Sequence, residues 1–219
     1  MQWIDHVEMY TSKRPPVEKR LFRSEVVERV IEETVTLLKN EKLKWMFANC
    51  FPNTLDTTVF YESEPEDDTF VVTGDIPAMW LRDSSAQVWP YLMYANEDER
   101  LRKMIRGVIL RQFRLVLLDP YANAFNQEAN GNCWEHDETD MGPWIWERKY
   151  ELDSLCYPIQ LSYLVWKNTG RTDQFDETFV KGVRRILKVW RTEQHHEEES
   201  PYSFVRKGCY FTDTLSRNG

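Results

Sequence analysis

The stretch Thr73-Gly74-Asp75-Ile76-Pro77-Ala78-Met79-Trp80-Leu81-Arg82-Asp83-Ser84-Ser85-Ala86-Gln87 lies where the hydrophobic period of the chain changes. Upstream of it, Val59 and Tyr61, then Phe70 and Val72, alternate with polar residues around the turn-like, acidic run Glu62–Asp68. An alternation of period two predicts a β-hairpin. Downstream, a short helix is predicted from about Ser84, carrying Val88, Tyr91 and Leu92 and bent at Pro90. The quoted stretch is therefore a strand-to-helix junction, a place where backbone N–H groups are exposed and acidic groups are favoured.

Further out, the pattern is helical. Ser24 can cap a helix in which Val26, Val27, Val30, Ile31, Thr34, Leu37 and Leu38 recur at helical spacing. That pattern runs on through Leu43, Trp45, Met46 and Phe47 and stops before Pro52. Leu101, Met104, Ile105, Val108, Ile109, Phe113 and Val116 mark a helix from about Asp98 to Leu118. Leu155, Ile159, Ser162, Tyr163 and Trp166 mark another, bent at Pro158 and closed by Gly170. Phe179, Val180, Val183, Ile186, Leu187 and Trp190 mark a third, ending in the polar run His195–Ser200. From Asp119 to Asp153 no period is sustained, yet Tyr121, Phe125, Trp134, Trp144, Trp146 and Tyr150 all lie there. Long loops are usually functional or disordered, and disordered segments are poor in aromatics, so a packed, site-forming loop is expected. The chain reads as mainly α with one inserted hairpin.

Composition narrows the function. A length of 219 residues fits one good-sized domain or half of a larger one, and 42% hydrophobic with 29% charged residues is ordinary for a folded chain. A net charge of −8 argues against nucleic acid or an anionic membrane as main partner, and no apolar run has membrane-spanning length. The segment Met1 to Lys13 has no apolar h-region, so no secretory signal and a cytoplasmic location are expected. Cys50, Cys133, Cys156 and Cys209 are far apart and read as reduced thiols. The run Glu135-His136-Asp137-Glu138-Thr139-Asp140 lacks the spacing that makes metal ligands converge, so it reads as a solvated acidic loop and no metal is expected. Nucleotide-binding and α/β-hydrolase motifs are absent. Aromatics make up 14% of the chain, which suits either a core of large side chains or the flat walls of a sugar site.

Two segments carry the chemistry. In the first, Asp75, Arg82, Asp83 and Gln87 surround Met79 and Trp80. A guanidinium fork and carboxylates can grip adjacent hydroxyls while an indole covers the apolar face of the ring. Equally, Asp83 or Ser84 can cap the helix while Arg82 pairs with Asp75 inside the fold. The second segment comprises Phe125-Asn126-Gln127-Glu128 and, past the acidic run, Trp144 to Ser154. There Glu147, Glu151 and Asp153 approach a helix start beside Trp144 and Trp146. Asp153 is a good N-cap, a role that stabilises a helix by roughly 1 kcal/mol. Glycoside hydrolysis needs two carboxyl groups flanking the bond, and the residues alone do not say which, if any, of these serve.

The motifs GDIPAMWLRDSSAQ (Gly74–Gln87), FNQEANG (Phe125–Gly131) and WERKYELDSLCYP (Trp146–Pro158), with FPNTLDTT (Phe51–Thr58) upstream of them, closely resemble glycoside hydrolase family 125, and the resemblance covers the chain from about Ser12. Those are metal-independent exo-α-1,6-mannosidases. The resemblance implies an (α/α)6 barrel, inverting removal of terminal mannose from α-mannoside oligosaccharides, and no cofactor. It implies that Trp80, Arg82, Asp83, Gln87, Asn126, Glu128, Glu147, Glu151 and Asp153 hold mannose hydroxyls or back up those contacts. Asp75 and Trp146 join them as substrate-binding candidates from their place in the motifs.

The helices counted here suffice for only about the first half of such a barrel. By the resemblance, the general acid, an Asp, and the general base, a Glu, belong beyond Gly219, and Asp213 falls in the stretch that leads up to the acid. Residues 1–219 are therefore read as the N-terminal part of a single catalytic domain, whose partner is the missing C-terminal half. Such a piece is expected to expose apolar helix faces, to be poorly soluble or oligomeric, and to lack hydrolase activity. The alternatives are a non-catalytic sugar-binding module and a helical interaction protein, against which no repeat of fixed period is found. Another (α/α)6 enzyme such as an epimerase needs histidine bases, and no histidine sits in the two motif segments.

Overall fold

The computed structural model describes residues 10–206. Ser24 caps the first helix as its sequence predicts, its Oγ accepting the Val27 amide at 3.2 Å, and α1 runs from Glu25–Leu37. The expected continuation is broken. Leu38 turns extended, and Asn40 starts a new helix, α2 (Glu41–Cys50), by accepting the Leu43 amide at 3.1 Å. A short α3 (Asn53–Thr57) follows, in a place the hydrophobic pattern does not mark.

The hairpin is present as β1 (Val59–Glu62) and β2 (Asp68–Val71), antiparallel with Val59 opposite Val71 and Glu62 opposite Asp68. Its burial differs from simple alternation, because Thr69, Phe70 and Val71 are all buried. Next come β3 (Met79–Trp80), α4 (Leu81–Val88) and a 3-10 turn over Trp89–Tyr94 that contains Pro90. Then follow α5 (Glu99–Leu118), β4 (Ala124–Phe125), β5 (Ile145–Glu147), α6 (Leu152–Thr169), α7 (Glu177–Glu193) and α8 (His196–Glu199). Asp98 and Asp176 cap α5 and α7, and Gly170, at φ +70°, closes α6 in the left-handed conformation that favours glycine. Among the described residues no helix is long and apolar enough to cross a membrane.

The core is built around α5, which packs against the hairpin, α4, α6 and α7. Leu101, Met104, Ile105, Val108, Ile109 and Phe113 are buried, and so are Leu110 and Leu115, so burial reaches well beyond the single face the sequence marks. Two glycines make the close approaches. A Cβ on Gly107 would fall 2.4 Å from Thr69 Oγ1 and 3.0 Å from the β2 backbone, while one on Gly182 of α7 would meet the Phe113 ring at 2.4 Å. Thr69 uses that proximity to donate its hydroxyl to the Met104 carbonyl at 2.7 Å. Gly107→Ala must push backbone from backbone, so a loss of about 1–3 kcal/mol is expected. A thermal or urea melt will read it, and an unchanged midpoint would refute this account of the packing.

Polar groups lock the periphery. Arg14 reaches Asp56 at 2.6 Å and Glu28 at 2.6 Å, and Arg20 reaches Glu28 at 3.1 Å, tying the N-terminal segment to α1 and α3. At the other end Tyr121 stacks on Tyr202 with centroids 4.9 Å apart, and the Tyr202 hydroxyl accepts the Tyr150 amide at 2.8 Å. Burial pushes the Tyr202 phenol up to about 12, so it stays neutral and keeps its proton to donate to the Arg148 carbonyl. One apolar stripe has no cover: Leu152, Tyr163 and Trp166 of α6 are 57%, 49% and 43% exposed, with Ile159 half-buried between them.

Candidate active site

The loop between α5 and α6 carries two strands that the sequence pattern did not reveal. Together with β3 they form a second, three-stranded antiparallel sheet in the order β3–β4–β5, with Met79 opposite Phe125 and Ala124 opposite Glu147. Its ladder continues past the strands. The Leu81 amide donates to Asn123 O at 3.1 Å, the Asn123 amide to Glu147 O at 3.2 Å and the Asn126 amide to Trp144 O at 2.8 Å. This sheet draws the three separate motif segments to one end of the helical layer.

On β3 and the start of α4, Trp80, Asp83 and Gln87 share a helix face. The helix begins at Leu81, earlier than the sequence suggests, with Trp80 as an N-cap that makes no side-chain bond. Neither Asp83 nor Ser84 caps it. Ser84 and Ser85 instead donate back to the Leu81 carbonyl at 3.3 and 3.1 Å, and the buried Gln112 side chain of α5 lies 2.8 Å from both hydroxyls. That network pins the α4 start to α5 without using Asp83.

Arg82 does not pair with Asp75, which is exposed in the turn around Gly74. Its Nη1 donates to Glu151 at 2.7 Å and to Asp153 at 3.3 Å, and its Nη2 lies 3.4 Å from Asp83. Burial acts to lower the Arg82 pKa, but the facing carboxylates outweigh it and the net shift is upward, so the charge is permanent. Glu151, not Asp153, is the N-cap of α6, and Asp153 falls in the first turn, where a carboxylate faces the positive end of the helix dipole. Ser154 donates to Glu151 at 3.2 Å. One guanidinium against three carboxylates makes a cluster rich in acceptors, half-exposed and bridging α4 to α6.

The remaining candidates separate. Glu147 is held from both sides, accepting from Asn123 Nδ2 at 2.8 Å and Arg206 Nη2 at 2.9 Å. Asn126 is buried, with its Nδ2 donating to the carbonyls of Asn132 and Pro143 at 2.8 and 3.1 Å, so it braces the loop. Glu128 is exposed, beyond the end of β4. Gln87 donates to Val72 O at 3.1 Å, which leaves its Oε1 without a partner; Asp83 Oδ2 and Trp146 Nε1 are likewise buried with no hydrogen bond. Unpaired buried polar atoms of this kind are uncommon and call for a partner.

Sequence reasoning missed Asn123 and Arg206. Asn123 adjoins the FNQE motif, but Arg206 meets Glu147 and Asp137 only through the tertiary fold. The acidic run is also less simple than a solvated loop, since Asp137 is buried against Arg206 at 2.6 Å. Among the described residues no group of three His, Cys, Asp or Glu side chains converges as a metal site. Cys50, Cys133 and Cys156 are free thiols, and Cys209 and Asp213 lie outside the described residues.

A family model described as metal-independent alpha-mannosidase (GH125) matches residues 40–219. The chain belongs to this GH125 family. The match begins at position 40, later than the expected start near Ser12, although two relatives reach further. The Meiotically up-regulated gene 157 protein of Schizosaccharomyces pombe is 37% identical over 230 residues, covering 94% of this chain and 44% of that protein. A solved structure of a Streptococcus pneumoniae protein from the widely distributed metal-independent α-mannosidases superposes with a TM-score of 0.80 at 50% identity. It covers 91% of this chain and 46% of that one, and was determined as a non-productive complex with α-1,6-mannobiose. The mainly helical GH125 architecture, an (α/α)6 barrel, is thus the fold to which this chain conforms. The expected single hairpin is corrected by the second sheet, which carries the motifs. The chain spans about half the length of the relatives it matches.

Proposed function

We propose that this chain supplies the substrate-holding half of the site of an inverting exo-α-1,6-mannosidase that removes terminal mannose from α-mannosides. The observation that carries this reading is the Arg82 cluster. A permanent cation fixed at 2.7 Å from Glu151 and 3.3 Å from Asp153 presents planar donors and acceptors at one end of the fold, with Trp80 at the start of the same helix. Sugar hydroxyls both donate and accept, so they satisfy such a cluster in a way that an anion or an apolar ligand does not. Gln87 Oε1, buried without a partner on the Trp80 face, adds to its capacity. The Streptococcus pneumoniae relative's complex with α-1,6-mannobiose supports a mannoside as the ligand class.

Hydrolysis with inversion needs an acid and a base separated by roughly 6.5–9.5 Å, with room for water between them. Arg82 spans its carboxylate neighbours directly, so Glu151 and Asp153 are occupied in positioning, and in this reading the acid and base come from the part of the relatives that this chain does not span. The expected result is that the 219-residue chain binds α-1,6-mannobiose and releases no mannose from it. Titration calorimetry and a coupled mannose assay test the two halves separately. Absence of binding would reject the sugar-holding role, and mannose release proportional to chain concentration would reject the assignment of acid and base.

A further inference from the structure

A second groove opens at the far end of α5. Its volume is about 500 Å³, within the range of small-molecule sites. One wall is a single face of α5, where Arg111, Arg114, Leu115 and Leu118 follow at helical spacing; the other walls are the turn between β1 and β2 and the indole of Trp144. The sequence singles out both the acidic turn and Trp144, and the Arg82 cluster uses neither.

The polar rim is pre-set. Asp68 fixes both guanidinium groups, lying 2.6 Å from Arg114 and bound in a fork by Arg111, whose Nη1 also donates to Gln127 O at 3.2 Å. Glu62 and Glu64 line the same groove, and among the described residues neither pairs with a cation. A half-buried indole, an aliphatic floor at Leu115 and Leu118, and planar donors and acceptors held around them suit a pyranose ring, which is apolar on its C–H face and polar at its rim.

The position gives the groove its meaning. The C-terminal end of α5 leads into β4, the middle strand of the same small sheet whose β3 and β5 lead into α4 and α6. Trp144 immediately precedes β5, and Trp80 ends β3. The three-stranded sheet that carries both residues joins the groove to the Arg82 cluster. We propose that this groove is an auxiliary carbohydrate site that holds a distal portion of the same α-mannoside oligosaccharide whose end occupies the Arg82 cluster. The inference rests on the mannoside reading of that cluster and extends it to a preference for longer chains.

The test compares α-1,6-mannobiose with α-1,6-mannotetraose, both titrated calorimetrically against the 219-residue chain. The tetraose is expected to bind at least about tenfold more tightly, the scale of one stacked ring. Trp144→Ala is expected to erase that advantage and leave mannobiose affinity unchanged, while Trp144→Tyr keeps most of it. Leu118→Arg, at a half-exposed floor position, fills the groove without touching the core and is expected to act like Trp144→Ala. Equal affinities for the two sugars in the parent chain would overturn the auxiliary site while sparing the mannoside reading. A Trp144→Ala loss of equal size for both sugars would overturn it too, by showing that Trp144 acts through the Arg82 site. Failure of both sugars to bind would reject the mannoside reading and the groove together.

Discussion

Replacing Arg82 with alanine is expected to weaken α-1,6-mannobiose binding by roughly 10–150-fold, the equivalent of the 1.5–3 kcal/mol carried by hydrogen bonds to a charged group. The effect has two sources. The sugar loses the planar donor, and Glu151, Asp153 and Asp83 lose the cation that holds them in one arrangement. Arg82→Lys keeps the charge but cannot donate as a fork, so it should recover only part of the affinity. The side chain is 33% exposed and sits at the edge of the packed layer, so the melting temperature should barely move. Calorimetric titration of the two variants beside the parent chain measures this. An Arg82→Ala protein that binds mannobiose like the parent would remove the cluster from the site.

The largest expected loss of stability lies at Arg14. Arg14 is 10% exposed and Asp56 2%, so Arg14→Ala strands a buried carboxylate whose next cation, Arg20, is 3.7 Å away. Breaking a buried pair from one side costs about 3 kcal/mol or more. The same residue sets an acid dependence. The bonds from Arg14 hold the Glu28 carboxyl below its usual value, against burial, which acts to raise it. A carboxyl depressed in the folded state contributes stability that is present in full above its unfolded pKa and is lost as pH falls through the folded value. Urea melts from pH 7 down through the acid range should therefore show the parent chain losing this contribution, and Arg14→Ala should be both less stable at pH 7 and flatter in that window. Parallel curves for the two proteins would show that Glu28 owes nothing to Arg14.

What the sequence discloses depends on the length of each pattern. Helices α5 and α7 carry many apolar residues at a constant spacing, and their polar caps Asp98 and Asp176 stand just outside, so existence and limits are both legible. The break at Asn40 is hidden because Leu43, Trp45 and Met46 keep the apolar pattern going after it; only backbone geometry shows that Asn40 is a cap. The strands β3, β4 and β5 have two or three residues each, too few for any period, and so the element that assembles the site is the one the pattern could not reveal. Among the site residues, Arg82, Glu151 and Asp153 were marked by their motifs and do meet, although the choice of Asp153 as cap failed because the extended backbone at Glu151 places the helix start earlier. Nearness along the chain says nothing of Asp75's neighbours, because the turn around Gly74 keeps it exposed and apart from Arg82.

The three-stranded sheet also says when the site can exist. β3 and β4 are separated by all of α4 and α5, and β4 and β5 by the aromatic loop, so pairing them closes long loops for only a few backbone bonds each. The entropy of that closure is met only once α4, α5 and α6 have already docked on their apolar faces. During refolding the Arg82 end is thus expected to arrive late, assembled on docked helices. Once formed it is part of the core, with Met79, Leu81, Ala124 and Phe125 fully buried, so the amide protons of Leu81, Asn123 and Asn126 are expected to exchange by openings as large as those that release the middle of α5.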